Sequence, residues 1–390
     1  MDFITRNLKA ARPPLVPKNA SPLRIGIIGA ARIAPDAIIT PAMSHPDIVV
    51  AAIAARDMSR AQDFAKRHGI EKVFGGSNGY QQMLDDPTID AIYNPLPNGL
   101  HYEWTMRALA AGKHVLLEKP SSNHAEETRR MFELAEANNL ILLEAFHYRF
   151  HPAIHRVKDI IDSGELGQVK HISAILGLVQ GYVKDGDIRL DFDLGGGGMM
   201  DVGVYPLSAI RYLLSAEPIS IESSVPTPHP QNPAAIDRAI HAVLTFPESI
   251  TADITGDLQL QPWGPFGLIP QLPKISLAVH LEGGDVTLSN FAVPTLWHTI
   301  QVITKAESGA NAQTRSEIAF TFKDEDGKEH GEVWWTTYRY QLEAFVDRVR
   351  GREPRTWISA EDSIAQMEAV ERIYEKANMP PRPWSSFSLA

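Results

Sequence analysis

Between Leu23 and about Glu144 the chain alternates short apolar runs with longer stretches of helical spacing. Leu23–Ile28, Ile48–Ala54, Asp90–Tyr93, His114–Leu117 and Leu140–Leu143 are strand-length and apolar on both faces. Ser59–His68, Leu100–Ala111 and Ala125–Ala137 instead repeat apolar residues three and four apart, which predicts helices. Alternation of this kind predicts a parallel sheet with helices over both faces, since only a strand covered on both sides is apolar throughout.

Past about Phe150 the pattern changes. Helical spacing over Pro152–Ser163 and Tyr205–Leu214 precedes runs that alternate apolar with polar, among them His241–Phe246, Ile275–His280 and Ile318–Phe322. Turn-forming segments, Glu282-Gly283-Gly284-Asp285 and Asp324-Glu325-Asp326-Gly327, separate several of these runs. A period of two with hairpin turns predicts a largely antiparallel sheet, one face buried and the other exposed or covered by a partner. The Pro/Gly-rich stretch 261–274 is expected to be a long ordered loop. Helix returns over Tyr340–Arg350 and Ala360–Ala377, the latter opened by the capping-like Ser359-Ala360-Glu361-Asp362. The expected class is α/β, divided into an arm at 1–21, a doubly wound domain at 22–146 and a second domain at 147–390 that ends in helices.

Length and charge narrow the possibilities. A chain of 390 residues suits two domains better than one core. Its net charge of −10, without a basic block, argues against nucleic acid or an anionic membrane as partner. No apolar run approaches a membrane span. The absence of cysteine excludes disulfides, thiolate nucleophiles and cysteine-based metal sites. The first twenty residues carry Arg6, Lys9 and Arg12 but no continuous apolar segment, so they are expected to form a short arm and a Pro-rich linker rather than a secretory signal. The expected compartment is the cytoplasm.

Chemistry concentrates where the predicted strands end. Glu118-Lys119-Pro120 closes the strand His114–Leu117 and puts a carboxylate and an ammonium at its carboxyl end, where open α/β sheets bind ligands. The first strand runs into Gly29-Ala30-Ala31-Arg32-Ile33-Ala34, with Pro35 suited to an early helical position. Against the dinucleotide fingerprint G-x-G-x-x-G, its key positions are Gly29, Ala31 and Ala34, small enough for a pyrophosphate to approach a helix N-terminus. Ala31 departs from the fingerprint. The second strand ends at Ala54-Ala55-Arg56-Asp57, with Ala55 where an NAD site places its ribose acid. Arg56, with Arg60 one turn on, suits a 2′-phosphate, so NADP is preferred over NAD. Asp57 is the competing ribose acid, but it is better placed to cap the following helix. In the stiff loop Asn94-Pro95-Leu96-Pro97-Asn98-Gly99-Leu100-His101, Asn98 is expected to N-cap the next helix, and Leu96, Asn98 and His101 to line the cofactor.

Three segments together resemble the Gfo/Idh/MocA family (glucose-fructose oxidoreductase, inositol dehydrogenase and rhizopine catabolism). They are Ala111-Gly112-Lys113-His114-Val115-Leu116-Leu117-Glu118-Lys119-Pro120, Glu144-Ala145-Phe146-His147-Tyr148-Arg149-Phe150-His151-Pro152, and the run from Gly195-Gly196-Gly197-Gly198 through Asp201 to Tyr205. The resemblance implies a Rossmann domain, a second domain whose open sheet commonly builds dimers or tetramers, and no metal. Tyr205 stands where many members have histidine, so the chain looks like the branch of NADP-dependent D-xylose 1-dehydrogenases and dimeric dihydrodiol dehydrogenases. His147 departs from the expected Met-like residue.

On that resemblance the catalytic set is Lys119, Asp201 and Tyr205. Tyr205 moves a hydroxyl proton, Lys119 favours its phenolate, and Asp201, one helical turn earlier, binds a sugar hydroxyl or tunes Lys119. The glycine run is expected to let backbone approach cofactor or substrate. Arg149 is a cofactor candidate or an ordinary ion-pair partner, Tyr148 a substrate contact, and His147 and His151 secondary pocket candidates. A metal site from His147, His151 and His155 is rejected because Pro152 interrupts the helix. The expected activity is NADP-dependent oxidation of an aldose such as D-xylose, or of a trans-dihydrodiol, by a homodimer formed through the second domain's sheet. The alternatives are a keto-sugar or inosose reductase and a non-catalytic NADP-sensing regulator.

Overall fold

A computed structural model of the chain describes residues 1–264, 268–305 and 312–389. They form two compact units. The first comprises residues 1–150, 331–364 and 384–390, the second 151–330 and 365–383. The division expected at 146/147 is contiguous, whereas the C-terminal region contributes to both of these units. The reason is a helix of the C-terminal region that packs on the 3₁₀ turn His147–Phe150 and on the helix after the first strand.

The first unit holds strands β1 (Leu23–Ile28), β2 (Ile48–Ala55), β3 (Lys72–Gly75), β4 (Ala91–Asn94), β5 (His114–Leu117) and β6 (Leu142–Glu144). They are all parallel, in the order β3-β2-β1-β4-β5-β6. The order reverses between β1 and β4, a switch point with ligand-binding loops at its carboxyl end. Helices α1 (Phe3–Ala11), α2 (Thr40–Met43), α3 (Met58–His68), α4 (Gly79–Leu84), α5 (His101–Ala110) and α6 (Ala125–Ala137) precede or connect the strands. The expected short arm is in part α1, capped by Asp2, whose Oδ1 accepts the Thr5 N–H at 2.8 Å. The linker after it is anchored by Lys18, whose Nζ donates to the carbonyl oxygens of Ala42 and His45 at the end of α2.

The second unit begins with α7 (Pro152–Asp162) and contains β7 (Val169–Gly177), α8 (Val204–Leu214), β8 (Ser220–His229), β9 (Asn232–Thr245), β10 (Thr251–Asp257), β11 (Lys274–Leu281), β12 (Gly284–Ser289), β13 (Thr299–Thr304) and β14 (Thr314–Glu317). Their order is β14-β13-β12-β11-β7-β10-β9-β8, antiparallel except for the β7–β10 pair. Alternation decides which face is buried. Ile172, Ala174, Leu277, Val279, Val286 and Leu288 point inward, and α8 packs on β7 and β10. His171, Ser173, Ser276, His280, Asp285 and Thr287 lie on the other, partly exposed face. A two-stranded ribbon, β15 (Phe322–Lys323) with β16 (Glu329–His330), follows. The predicted strand Ile318–Phe322 is thus corrected: only Phe322 is paired, and the Ala319 N–H donates to His298 Nε2 instead of to a ladder. The loop expected at 261–274 falls partly on residues 265–267, outside the described residues.

Helices α9 (Thr337–Val349) and α10 (Ala360–Lys376) complete the described chain. Among the described residues, no helix is long and apolar enough to cross a membrane.

Candidate active site

In the first unit the loops after β1 and β4 meet at the switch point. Gly29 has φ +91°, and its N–H donates to the Ala54 carbonyl at 2.7 Å. A Cβ there would lie 2.9 Å from Leu96 Cδ2, so glycine is required by both backbone and space. Ala31, the departure from the fingerprint, fits because its N–H closes the turn onto the Gly29 carbonyl at 2.8 Å. Ala30, Ala31 and Ile33 are half-buried and Arg32 is exposed. Pro35 opens the helix as expected, but the turn Pro35–Ile39 is wound as a π-helix.

At the end of β2, Asp57 caps α3: its Oδ1 accepts the Arg60 N–H at 3.1 Å and the Ser59 hydroxyl at 2.8 Å. Those bonds hold its carboxyl below the usual range. Ala55 at the strand tip is buried. Arg56 is exposed, and Arg60 reaches back to donate from Nη2 to the Ala30 carbonyl at 3.0 Å. Sequence reasoning missed Tyr80, whose hydroxyl lies 3.8 Å from a Cβ built on Gly29 and whose ring stands edge-on to Trp104 at 4.8 Å. Burial raises the Tyr80 phenol, while the Arg56 and Arg60 charges pull the other way. The signal was an aromatic residue in a short amphipathic stretch, indistinguishable from core.

The loop after β4 departs from expectation. Asn98 opens a 3₁₀ turn, Asn98–Leu100, which leaves Leu100 at the N-cap of α5 with no side-chain cap bond. His101 is fully buried, with Nδ1 2.8 Å from the Pro120 carbonyl and Nε2 2.7 Å from the Leu96 carbonyl. Its ring therefore ties the loop after β4 to the one after β5.

Past β5, Glu118 is buried and accepts the Tyr93 hydroxyl at 2.7 Å, and the Lys119–Pro120 peptide is cis. Glu144 Oε1 accepts the Ser121 N–H at 2.8 Å, fixing the far side of the turn. Lys119 is half-buried between these anchors. Its ammonium acts on the His147 ring, which burial first and that charge second lower to about 3. His147 itself is held by Thr337 Oγ1 at 2.8 Å and stacks on Tyr338. Tyr148, expected to contact substrate, is fully buried and packs edge-on to Phe146. Arg149, expected at the cofactor or in an ion pair, is buried and pairs with Asp362 through Nη1 at 3.0 Å.

In the second unit, His151 caps α7, accepting the Ala153 N–H, and His155 Nδ1 lies 3.0 Å from the Tyr212 hydroxyl. The glycine run feeds a second π-helical turn, Met199–Gly203, which passes directly into α8. Asp201 lies on the π turn and Tyr205 in the first turn of α8, four residues apart and so close to one face. The glycines also make close approaches within the unit itself. Gly197 has φ +137°, and a Cβ there would overlap Arg382, Asp237 and Tyr374. These three form a fully buried cluster, with Arg382 Nη2 on Asp237 Oδ1 at 2.8 Å and Tyr374 donating to the same oxygen at 2.9 Å. Asp237 Oδ2 accepts the Met199 N–H at 2.6 Å, which anchors the start of the π turn. A Cβ on Gly256 of β10 would lie 2.6 Å from Gly203 Cα, so the turn sits directly on the sheet. Asp201 Oδ2 accepts Arg189 Nε at 2.7 Å, a partner the sequence reading did not name.

Comparison with known proteins places these halves in context. Residues 23–146 match the oxidoreductase family with NAD-binding Rossmann fold (GFO_IDH_MocA), and residues 154–266 match the GFO/IDH/MocA C-terminal domain. The chain is 32% identical over 364 residues to the D-xylose 1-dehydrogenase (NADP(+)) 2 of Haloferax volcanii, covering 91% of this chain and 97% of that one. It is 40% identical over 201 residues to the dTDP-3,4-didehydro-2,6-dideoxy-alpha-D-glucose 3-reductase of Actinomadura kijaniata, covering 52% and 59%. Among solved structures, a 3-ketoreductase from Actinomadura kijaniata in complex with NADP and TDP-benzene superposes with a TM-score of 0.75 at 27% identity, covering 91% of this chain and 98% of that one. The chain belongs to the Gfo/Idh/MocA oxidoreductase family.

Proposed function

We propose that this protein is an NADP-dependent dehydrogenase that oxidises a secondary or anomeric hydroxyl of a neutral sugar or diol, with an aldose such as D-xylose, oxidised at C1 to the lactone, as leading substrate. The observation that carries the reading is the Asp201–Tyr205 pair at a helix start in a chain that also keeps Lys119 at the carboxyl end of β5. A non-catalytic sensor has no need of all three groups.

Gly29, at a φ of +91° that favours glycine, makes the tight turn a dinucleotide needs, and Ala30, Ala31, Arg32 and Ile33 would continue the cradle. Arg56 and Arg60, exposed beside that loop, suit a 2′-phosphate and favour NADP. Bound nicotinamide would accept the hydride from the substrate carbon. Tyr205 would take the hydroxyl proton. A free phenol titrates near about 10, so its phenolate needs a cation, the role we assign to Lys119. Asp201 would accept a hydrogen bond from a neighbouring substrate hydroxyl. The partly exposed face of the eight-stranded sheet is the surface we assign to a second copy of the chain.

Run in reverse, the same groups reduce a keto-sugar, a reading favoured by the 40% identity to a keto-sugar 3-reductase. The test is absorbance at the reduced-nicotinamide band with D-xylose, D-glucose, myo-inositol and trans-dihydrobenzenediol, each with NADP+ and NAD+. Tyr205→Phe should keep NADP affinity and lose about a hundredfold or more in kcat, the usual range for removing a positioned acid–base group. Unchanged turnover would remove Tyr205 from the mechanism. Tight NADP binding with no turnover of any substrate would favour the sensor.

A further inference from the structure

Arg189 lies on a 3₁₀ turn, Ile188–Leu190, twelve residues before Asp201. Its backbone is clamped twice. Its N–H donates to Asp187 Oδ1 at 3.1 Å, and its carbonyl accepts the Gly197 N–H at 2.9 Å. A Cβ on Gly196 would come within 2.6 Å of that same carbonyl, so the glycine run lets this turn close against it. The guanidinium is then held between two carboxylates: Nη1 donates to Asp187 Oδ1 at 3.0 Å and Nε to Asp201 Oδ2 at 2.7 Å. Asp201's charge is the largest influence on the guanidinium and raises it above its ordinary value. A continuous chain of contacts thus runs from the glycines through Arg189 to Asp201.

We propose that Arg189 is a positioning residue that fixes the Asp201 carboxylate for recognition of a neutral substrate hydroxyl. The inference rests on the reading that Asp201 binds such a hydroxyl. A carboxylate accepts a hydrogen bond from a substrate hydroxyl most strongly when it is ionised and held in one orientation. An aspartate on a π turn has two free side-chain torsions, and the Nε bond removes that freedom. Two carboxylates share one guanidinium, so the cluster keeps a net negative charge and still accepts hydrogen bonds. That balance suits uncharged polyols better than acidic sugars. A merely structural Arg189 would tie two loops together, and its loss would lower stability without altering substrate recognition.

The test is steady-state oxidation of D-xylose, with D-glucose and trans-dihydrobenzenediol in parallel, by wild type, R189A, R189K, D201N and R189A/D201N. NADP affinity is followed by fluorescence and folding by circular dichroism. R189A should raise KM about ten- to a hundredfold, the range for a hydrogen bond to a charged group, with a smaller change in kcat and unaltered NADP affinity. R189K, which keeps the charge but not the planar fork, should fall between, and it serves if R189A folds poorly. Adding R189A to D201N should change KM by less than about twofold, because the two act as one unit. A wild-type KM in R189A and R189K, or full additivity in the double variant, overturns the proposal. A wild-type KM in D201N instead removes Asp201 from substrate binding, a separate failure belonging to the parent reading.

Discussion

In the first unit the candidate chemistry sits on loops just beyond strand ends, whereas in the second it sits on a π turn fed by four glycines. The two are built differently. Gly29, Ala54 and Leu96 meet because parallel strands β1, β2 and β4 are neighbours, so the cofactor cradle follows from sheet order alone. Asp201 and Tyr205 owe their placement to Asp237, Tyr374 and Arg382, buried below the glycines, and to half-buried Arg189 beside Asp201. A strand-end site tolerates change in its surroundings. A site on a packed π turn depends on them.

That contrast is broken most directly at Gly197. An alanine there would need a backbone conformation that L-residues avoid and would displace the Asp237–Arg382 pair. Breaking a buried pair costs about 3–5 kcal/mol, so Gly197→Ala should lower the melting temperature steeply, with lost protection in hydrogen exchange centred on 195–205. A melt within a degree or two of wild type would show that the glycines are dispensable and that the two sites are built alike.

Acid should act on the first unit in a defined window. Burial, then the Arg339 guanidinium, lowers His45 to about 3, and its Nδ1 accepts the Asp47 N–H, with Glu343 3.4 Å from Nε2. His147 is likewise lowered to about 3. Unfolded, both rings bind a proton near their ordinary value of about 6.5. Below that pH the unfolded chain holds the extra protons, so stability present above pH 6.5 falls as pH is lowered toward 3. The slope is about 1.4 kcal/mol per pH unit for each histidine. His147→Gln should flatten the profile measured by denaturant unfolding, and an unchanged slope would mean that the ring is already charged in the fold.

Legibility in the sequence followed the same division. Asp57 could be assigned as a cap, and Gly29 and Pro35 as turn and helix start, because each role depends on neighbours within a few residues. Asn98 was misplaced because the 3₁₀ turn that moves the cap to Leu100 leaves no periodic trace. The contacts of Tyr148 with Phe146 and of Arg149 with Asp362 differ in the same way, since only the fold brings Asp362 near. Ile318–Phe322 alternates like a strand but lies where the sheet has already ended at β14. Arg189 could have been flagged only by Asp187 two residues before it, a common turn pattern that says nothing about Asp201.

The smallest expected effect sharpens the comparison from the cofactor side. Arg56 is exposed, so a contact with a 2′-phosphate would be screened by solvent and worth about 1–2 kcal/mol. Arg56→Ala should therefore weaken NADP by about five- to thirtyfold while leaving NAD nearly unchanged, measured by fluorescence titration with each cofactor. Arg60→Ala should show a smaller preference, since its Nη2 is engaged by the Ala30 carbonyl and its loss also loosens the loop for both cofactors. If Arg56→Ala weakens both cofactors equally, the guanidinium serves the loop and not the phosphate, and the preference for NADP must come from elsewhere on the β2 tip. A loss confined to NADP would make this site what its backbone implies: a rigid cradle set by strand order, with selectivity carried by one exposed side chain that can be exchanged without disturbing the rest.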